Sequence, residues 1–337
     1  MEEQKSQFLH CLRWVSALMV VIGHSQLIGN GGDAIFKFLA SHAHAAVMVF
    51  FVLSGYVIAA TVEKKKTSGY TIRDYFTDRI SRIYSVLLPA IALTMLLDFL
   101  GGHFFSSRYS DPDLIPQTHE LIRFLVNVFC LQGMWGYRVQ FGSNPALWSI
   151  GYEFCYYVMF GLLTWKPKNW RLLVLVFMLV IGPKVAVYGS VWALGVLAYK
   201  ANKAGKTVPF FPVLVLFLLS NYFLEYRPLI ELPEFIRDFL FSVSVMLLVM
   251  TTPKIIPRFF PANREMAEFS FSLYAYHMPI MFFGYSFITP TPISAWVMVL
   301  ISLLFSRLLY YVTENKRGVL KSALLKVEFP ELLWRTK

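Results

Sequence analysis

Long apolar blocks alternate along the chain with short polar and basic segments, and each block is near the length a helix needs to cross the hydrocarbon core of a bilayer, about 20 mostly apolar residues. The pattern predicts about ten spans, at roughly 8–28, 42–62, 80–100, 146–164, 170–186, 188–200, 208–224, 236–252, 269–288 and 292–313. A further apolar run, Leu121 to Trp135, is bracketed by Arg123 and Arg138. It fits the parity of the count better as a re-entrant or interfacial helix than as a full span. The predicted fold class is therefore all-α: a polytopic integral membrane protein, one domain over residues 1–337, with a tail at 314–337.

Composition agrees with that picture. Of 337 residues, 57% are hydrophobic and 15% charged, and the mean hydropathy is +0.55. A soluble domain carries about 45–50% apolar and about 25% charged residues, so a soluble enzyme, a disordered tail and a disulfide scaffold are excluded. The three cysteines, Cys11, Cys130 and Cys155, lie in apolar segments without CxxC or Cys/His spacing, which argues against redox chemistry and a structural metal.

The net charge of +11 would point to nucleic acid in a soluble protein. Here it reports orientation, because Lys and Arg concentrate in cytoplasmic loops. With the amino terminus placed inside, 22 of the 31 Lys and Arg fall on the cytoplasmic side, including the cluster Lys64 to Arg82, Lys254, Arg258 and six tail residues from Lys316 to Lys337. Seven fall outside, among them Arg123, Arg138 and Arg227, while Arg13 and Arg307 lie within spans. Both termini are predicted to be cytoplasmic, and no nucleic-acid partner is needed to explain the charge. The first block is interrupted by Arg13 and His24 and lacks a small-residue cleavage site, so it reads as a retained helix rather than a signal peptide.

An ionisable group within the hydrocarbon layer costs several kcal/mol unless paired or hydrated, and so marks candidate function. Arg13 and His24 are eleven residues apart, three turns plus about 20° and about 16 Å of rise, and share one helix face at different depths. Arg13 near the cytoplasmic end could hold a phosphate and His24 could act as a base or proton carrier; a snorkelling Arg and a hydrogen-bonded structural His are the alternatives. Arg79 and Arg82, spaced i, i+3, present two guanidinium forks at the cytoplasmic interface, for an anionic ligand or for lipid headgroups. Glu153 sits about 7 Å beyond Trp148 in an aromatic stretch, where a carboxylate needs a cationic partner. Ser54 reads as a close-packing position, and His277 and Glu314 as helix anchors. His42 and His44 have metal-like spacing only in a strand and are set aside.

In this combination the sequence resembles the acyltransferase-3 family of bacterial membrane O-acyltransferases. The matching segments, in order, are LRWVSALMVVIGH with Arg13 and His24, FFVLSGY from Phe50 to Tyr56, RISR with Arg79 and Arg82, LWSIGYE with Trp148 to Glu153, and FSLYAYHMP with His277. Two departures stand out: His10 and Cys11 occupy the place of an acidic residue and Gly, and Tyr84-Ser85 replaces Pro-x-Tyr after RxxR. The resemblance is to stand-alone members, without a fused periplasmic hydrolase-like domain.

The resemblance implies transfer of an acyl group, most often acetyl, from cytoplasmic acetyl-CoA or another acyl-CoA to a hydroxyl of a surface or lipid-linked glycan such as an O-antigen or exopolysaccharide. The protein would sit in the bacterial inner membrane, with no metal. Arg13, Arg79 and Arg82 would hold the CoA phosphates, His24 would act as general base, and Glu153 would orient it or stabilise its imidazolium. Trp148, Ser149 and Tyr152 would line the substrate site; an acyl-enzyme remains an open alternative. A proton-coupled transporter or flippase of lipid-linked sugars is the rival class, since intramembrane Arg, His and Glu also form proton relays. It predicts broken helices in two related halves, and no such repeat is found.

Overall fold

The computed structural model describes residues 2–226, 231–253 and 261–327. Arg227, Lys254, Arg258, Arg335 and Lys337, counted in the charge balance above, lie outside the described residues, as does the end of the predicted tail. Among the described residues the chain is helical throughout: α1 (Glu2–Gly29), α2 (Ala34–Ala40), α3 (Ala43–Lys66), α4 (Ile72–Phe104), α5 (Ser106–Tyr109), α6 (Glu120–Val128), α7 (Trp148–Trp165), α8 (Trp170–Lys203), α9 (Phe210–Ser220), α10 (Glu234–Met250), α11 (Pro261–Gly284), α12 (Pro292–Val312) and α13 (Arg317–Lys326). Six helices among the described residues are long and apolar enough to cross a membrane, in keeping with an all-α polytopic membrane protein.

The apolar pattern is turned outward. Leu172, Leu175, Val176 and Leu179 on α8, and Leu300, Leu304 and Leu308 on α12, are exposed. That is the arrangement expected when lipid rather than water surrounds the helices.

Three boundaries differ from the pattern. Helix α4 begins eight residues before the predicted span, because Thr71 and Asp74 form a capping box that satisfies the first free N–H groups. The blocks at 170–186 and 188–200 do form two helices, but these meet earlier than predicted, across a kink in α8 at Gly182 (φ 78°) before Pro183. The positive φ is open to glycine, and a Cβ there would meet Trp135. The apolar run 121–135 yields only the nine-residue α6, which rises about 13 Å and is too short to cross the bilayer.

The chain divides into two compact units. In the first (residues 1–64, 188–274 and 290–299), Gly55 and Gly195 bring α3 and α8 into backbone contact: a Cβ at Gly55 would collide with the Trp192 carbonyl, and one at Gly195 with that of Val52. Small residues permit such close helix approach in membranes, and Ser54 accepts a hydrogen bond from Trp192 Nε1 at 3.2 Å in the same seam. Lys5 Nζ donates to the carbonyls of Val249 and Thr251 at the end of α10, groups that a helix terminus leaves without intrahelical partners.

In the second unit (65–187, 275–289 and 300–337), α4 is tied at three levels to the segment 314–327, which contains α13. Arg73 donates to the carbonyls of Leu325 (2.8 Å) and Val327 (2.9 Å), closing the end of α13. Asp78 receives Lys321 (2.6 Å), Lys65 (2.6 Å) and the Tyr70 hydroxyl (2.7 Å). Burial and the Asp78 carboxylate hold the Tyr70 phenol well above its ordinary pKa, so it remains a donor. The third tie, Arg82 to Glu314, belongs to the candidate site.

Candidate functional site

The structure collects six of the residues singled out above within the second unit, on two helices: Arg79 and Arg82 on α4, and Trp148, Ser149, Tyr152 and Glu153 on α7. Because α4 starts at Ile72, Arg79 and Arg82 lie about 10 and 15 Å into the helix rather than at its end. Arg79 stacks over two rings, with its guanidinium carbon 5.8 Å from the centroid of Tyr75 and 5.6 Å from that of Tyr157 on α7. Tyr75 is fully buried and its hydroxyl donates to the Tyr157 carbonyl at 2.9 Å, which fixes the two helices in register. The Tyr157 hydroxyl donates to Glu153, one turn back on α7.

The two arginines are not equivalent. Arg82 Nη1 lies 3.0 Å from Glu314 Oε1, and both side chains are largely withdrawn from solvent, at 16% and 2% exposure. Among the described residues Arg79 has no carboxylate within ion-pairing distance, and its Nε is buried without an acceptor. Stacking on aromatic faces stabilises a guanidinium without neutralising it. Arg79 is thus a cation oriented by two rings with donors to spare, which suits an incoming phosphate, whereas Arg82 is already held by a carboxylate.

Trp148 and Tyr152 meet edge to face at 5.1 Å, at the opposite end of α7 from its junction with Lys166. The Arg138 guanidinium lies over the Trp148 ring at 5.2 Å. Ser149 and Tyr152 are buried, and a Cβ at Gly133 would press on the Tyr152 ring, so the turn after α6 is shaped to this end of α7.

Arg13 and His24 lie in the first unit, on α1, where the helix runs unbroken from Glu2 to Gly29 and carries both on one face as the spacing requires. His24 is half-buried. In the same unit, the first turn of α3 carries His44, set aside above. Its Nε2 sits 3.0 Å from both oxygens of Asp238 on α10, a carboxylate with no exposure that also accepts from the Tyr188 hydroxyl at 2.6 Å. With Glu234 these groups form a cluster whose possible ligand atoms lie within 4.8 Å of one another. Asp238 is supplied with donors by His44 and Tyr188, so the cluster stands as a hydrogen-bonded network.

Sequence reasoning missed the roles of Tyr75 and Tyr157, and read Glu314 as a helix anchor without identifying Arg82 as its partner. For the tyrosines a signal existed: Tyr75 precedes Arg79, and Glu153 precedes Tyr157, by the four residues that place side chains on one helix face. Nothing local pairs Glu314 with Arg82.

A family model described as an acyltransferase domain matches residues 6–312. A curated protein named O-acetyl transferase, from Shigella phage Sf6, is 25% identical over 191 residues, which is 56% of this chain and 54% of that protein. The chain thus spans about half the length of this curated relative. No solved structure matches it.

Proposed function

The chain belongs to the acyltransferase-3 family, and on that premise we propose that it is a multi-pass membrane O-acyltransferase of the bacterial inner membrane. In this reading it moves an acyl group, acetyl in the first instance, from cytoplasmic acyl-CoA to a hydroxyl of a surface or lipid-linked glycan. The observation that carries the reading is the Arg79 guanidinium, set between the rings of Tyr75 and Tyr157 with no carboxylate partner among the described residues. A cation so placed in an apolar helix pair calls for an anion, and CoA brings three phosphates.

Each residue has a distinct task in this scheme. Arg79 receives a phosphate of the donor, with Arg82, anchored by Glu314, adding positive charge on the same helix, and Arg13 on α1 is likewise assigned to a donor phosphate. His24 takes the proton from the acceptor hydroxyl as its oxygen attacks the thioester carbonyl. The tetrahedral intermediate then collapses by breaking the C–S bond, and the CoA thiolate leaves with the proton carried by the imidazolium. Glu153, held by Tyr157, contributes negative charge that favours a cationic partner formed during the reaction. Trp148 and Tyr152 offer aromatic faces to the acyl group or a sugar ring.

The test is binding of acetyl-CoA to the detergent-purified protein at two salt concentrations, beside Arg79→Ala. The reading expects salt-sensitive micromolar binding that is lost in the variant. Absence of binding by folded wild-type protein would overturn it and favour a transporter of lipid-linked sugars.

A further inference from the structure

The other end of the second unit carries a second basic site. Downstream of α4, a pocket of about 330 Å³ is lined by His119, Ile122, Arg123, Tyr137, Arg138 and Val139. Its walls come from α6 and from the irregular stretch leading to α7, and the chemistry of both is unusual.

Helix α6 is inside out. Leu121, Ile122, Leu125 and Phe129 are exposed on one face, while Arg123 is half-buried and Asn127 is buried, donating to the carbonyls of Arg123 (2.9 Å) and Val139 (3.0 Å). An apolar face presented outward by a helix too short to span belongs in the acyl-chain boundary of one leaflet, with the helix lying in the interface. Trp135 and Tyr137, 58% and 75% exposed, extend that surface with side chains that favour the headgroup level. The pocket therefore opens where lipid phosphates reside.

Its cations are arranged for such a group. Arg123 is pinned by Nε to the Thr118 carbonyl (2.8 Å) and by Nη1 to the Gln140 carbonyl (3.2 Å), which leaves three of its five N–H groups for a ligand. Arg138 rests on the Trp148 ring with its edge donors uncommitted. Among the described residues neither guanidinium has a carboxylate partner, and His119 adds an imidazole at the rim. Two convergent guanidinium forks recognise a phosphate through paired hydrogen bonds.

We propose that this pocket binds the phosphate group of a membrane lipid, and specifically the phosphate by which a lipid-linked acceptor is anchored. The second part rests on the acyltransferase reading; the first does not. Arg138 connects the two sites: it faces the pocket and covers Trp148, so an acceptor held by its phosphate there has its head directed to the start of α7.

The test uses the full-length protein in detergent and three probes: farnesyl pyrophosphate as a soluble isoprenyl pyrophosphate, dihexanoyl phosphatidylglycerol, and inorganic pyrophosphate. The comparison is wild type against Arg123→Gln/Arg138→Gln, with acetyl-CoA binding measured on both. The proposal expects micromolar binding of farnesyl pyrophosphate that falls at least tenfold in the variant, while acetyl-CoA binding is unchanged. Binding of phosphatidylglycerol as tight as that of the isoprenyl probe would retain the lipid-phosphate site and overturn the acceptor anchor. Inorganic pyrophosphate binding as tightly as either lipid would overturn both, as would lipid binding indifferent to the substitutions. Failure of acetyl-CoA to bind either protein counts against the acyltransferase reading alone.

Discussion

Glu314→Gln isolates the buried ion pair that ties the start of the terminal segment to α4. The carboxylate is 2% exposed and lies 3.0 Å from Arg82 Nη1, with Arg82 at 16%. Removing one member of a buried pair leaves the other charge uncompensated and costs about 3–5 kcal/mol. The glutamine carbonyl can still accept one hydrogen bond, worth about 1 kcal/mol net, and Arg82 retains slight access to water. The expected loss is therefore about 2–3 kcal/mol, or roughly a 30- to 150-fold shift in the unfolding equilibrium. Reversible unfolding in SDS, followed by tryptophan fluorescence, measures it. Replacing both partners, as Arg82→Met/Glu314→Met, should recover stability to within about 1 kcal/mol of wild type, because apolar replacement of a buried pair is often neutral. A Glu314→Gln protein within about 0.5 kcal/mol of wild type would refute the reasoning. So would a double variant no more stable than the single one, since the cost would then not be that of a stranded charge.

Three further outcomes are expected. Arg79→Ala should weaken acetyl-CoA binding by about 10- to 100-fold, the range of a lost charge-assisted hydrogen bond, while unfolding stays near wild type; equilibrium binding checks the first and SDS unfolding the second. His24→Ala should abolish transfer yet retain donor affinity within a few-fold, and full turnover by this folded variant would remove the general base from the scheme. Gly55→Ala should destabilise the first unit by about 1–3 kcal/mol, because its methyl group meets the Trp192 backbone carbonyl, which cannot move aside as a side chain would; thermal inactivation in detergent reads the effect.

The lengths of the apolar blocks carried much of the fold, since a spanning helix must be made of residues that are apolar one by one. Helix beginnings were less visible. Thr71 and Asp74 are polar and read as loop, although together they start α4. The joint in α8 was placed a few residues late, although Gly182-Pro183-Lys184, a breaker pair followed by a charge, marks it in the sequence. At the site, Glu153 announced itself as a charge in aromatic surroundings and Arg79 and Arg82 by their i, i+3 spacing at a predicted interface, but the unequal states of the two arginines were not visible. Whether an arginine faces a carboxylate or a pair of rings depends on partners contributed from other parts of the chain, Glu314 in one case and Tyr157 in the other. His44 was passed over for the same reason, its partner Asp238 lying on a distant helix.

The ties between α4 and the terminal segment also bear on biogenesis. A membrane protein enters the bilayer as it is translated, so α4 is in place well before residues 314–321 leave the ribosome. During that interval Arg82 lacks Glu314, and Asp78 lacks Lys321. The nascent chain therefore lacks two of the contacts that hold α4 until those residues have been made. A chain that stops short of Glu314 would lack both contacts, and α4 would be held by its remaining partners, the Tyr157 carbonyl that accepts from Tyr75 among them. The contacts at Asp78 and Arg82 are therefore completed only after α12 has been made, so residues far from α4 in the sequence are what finally fix it.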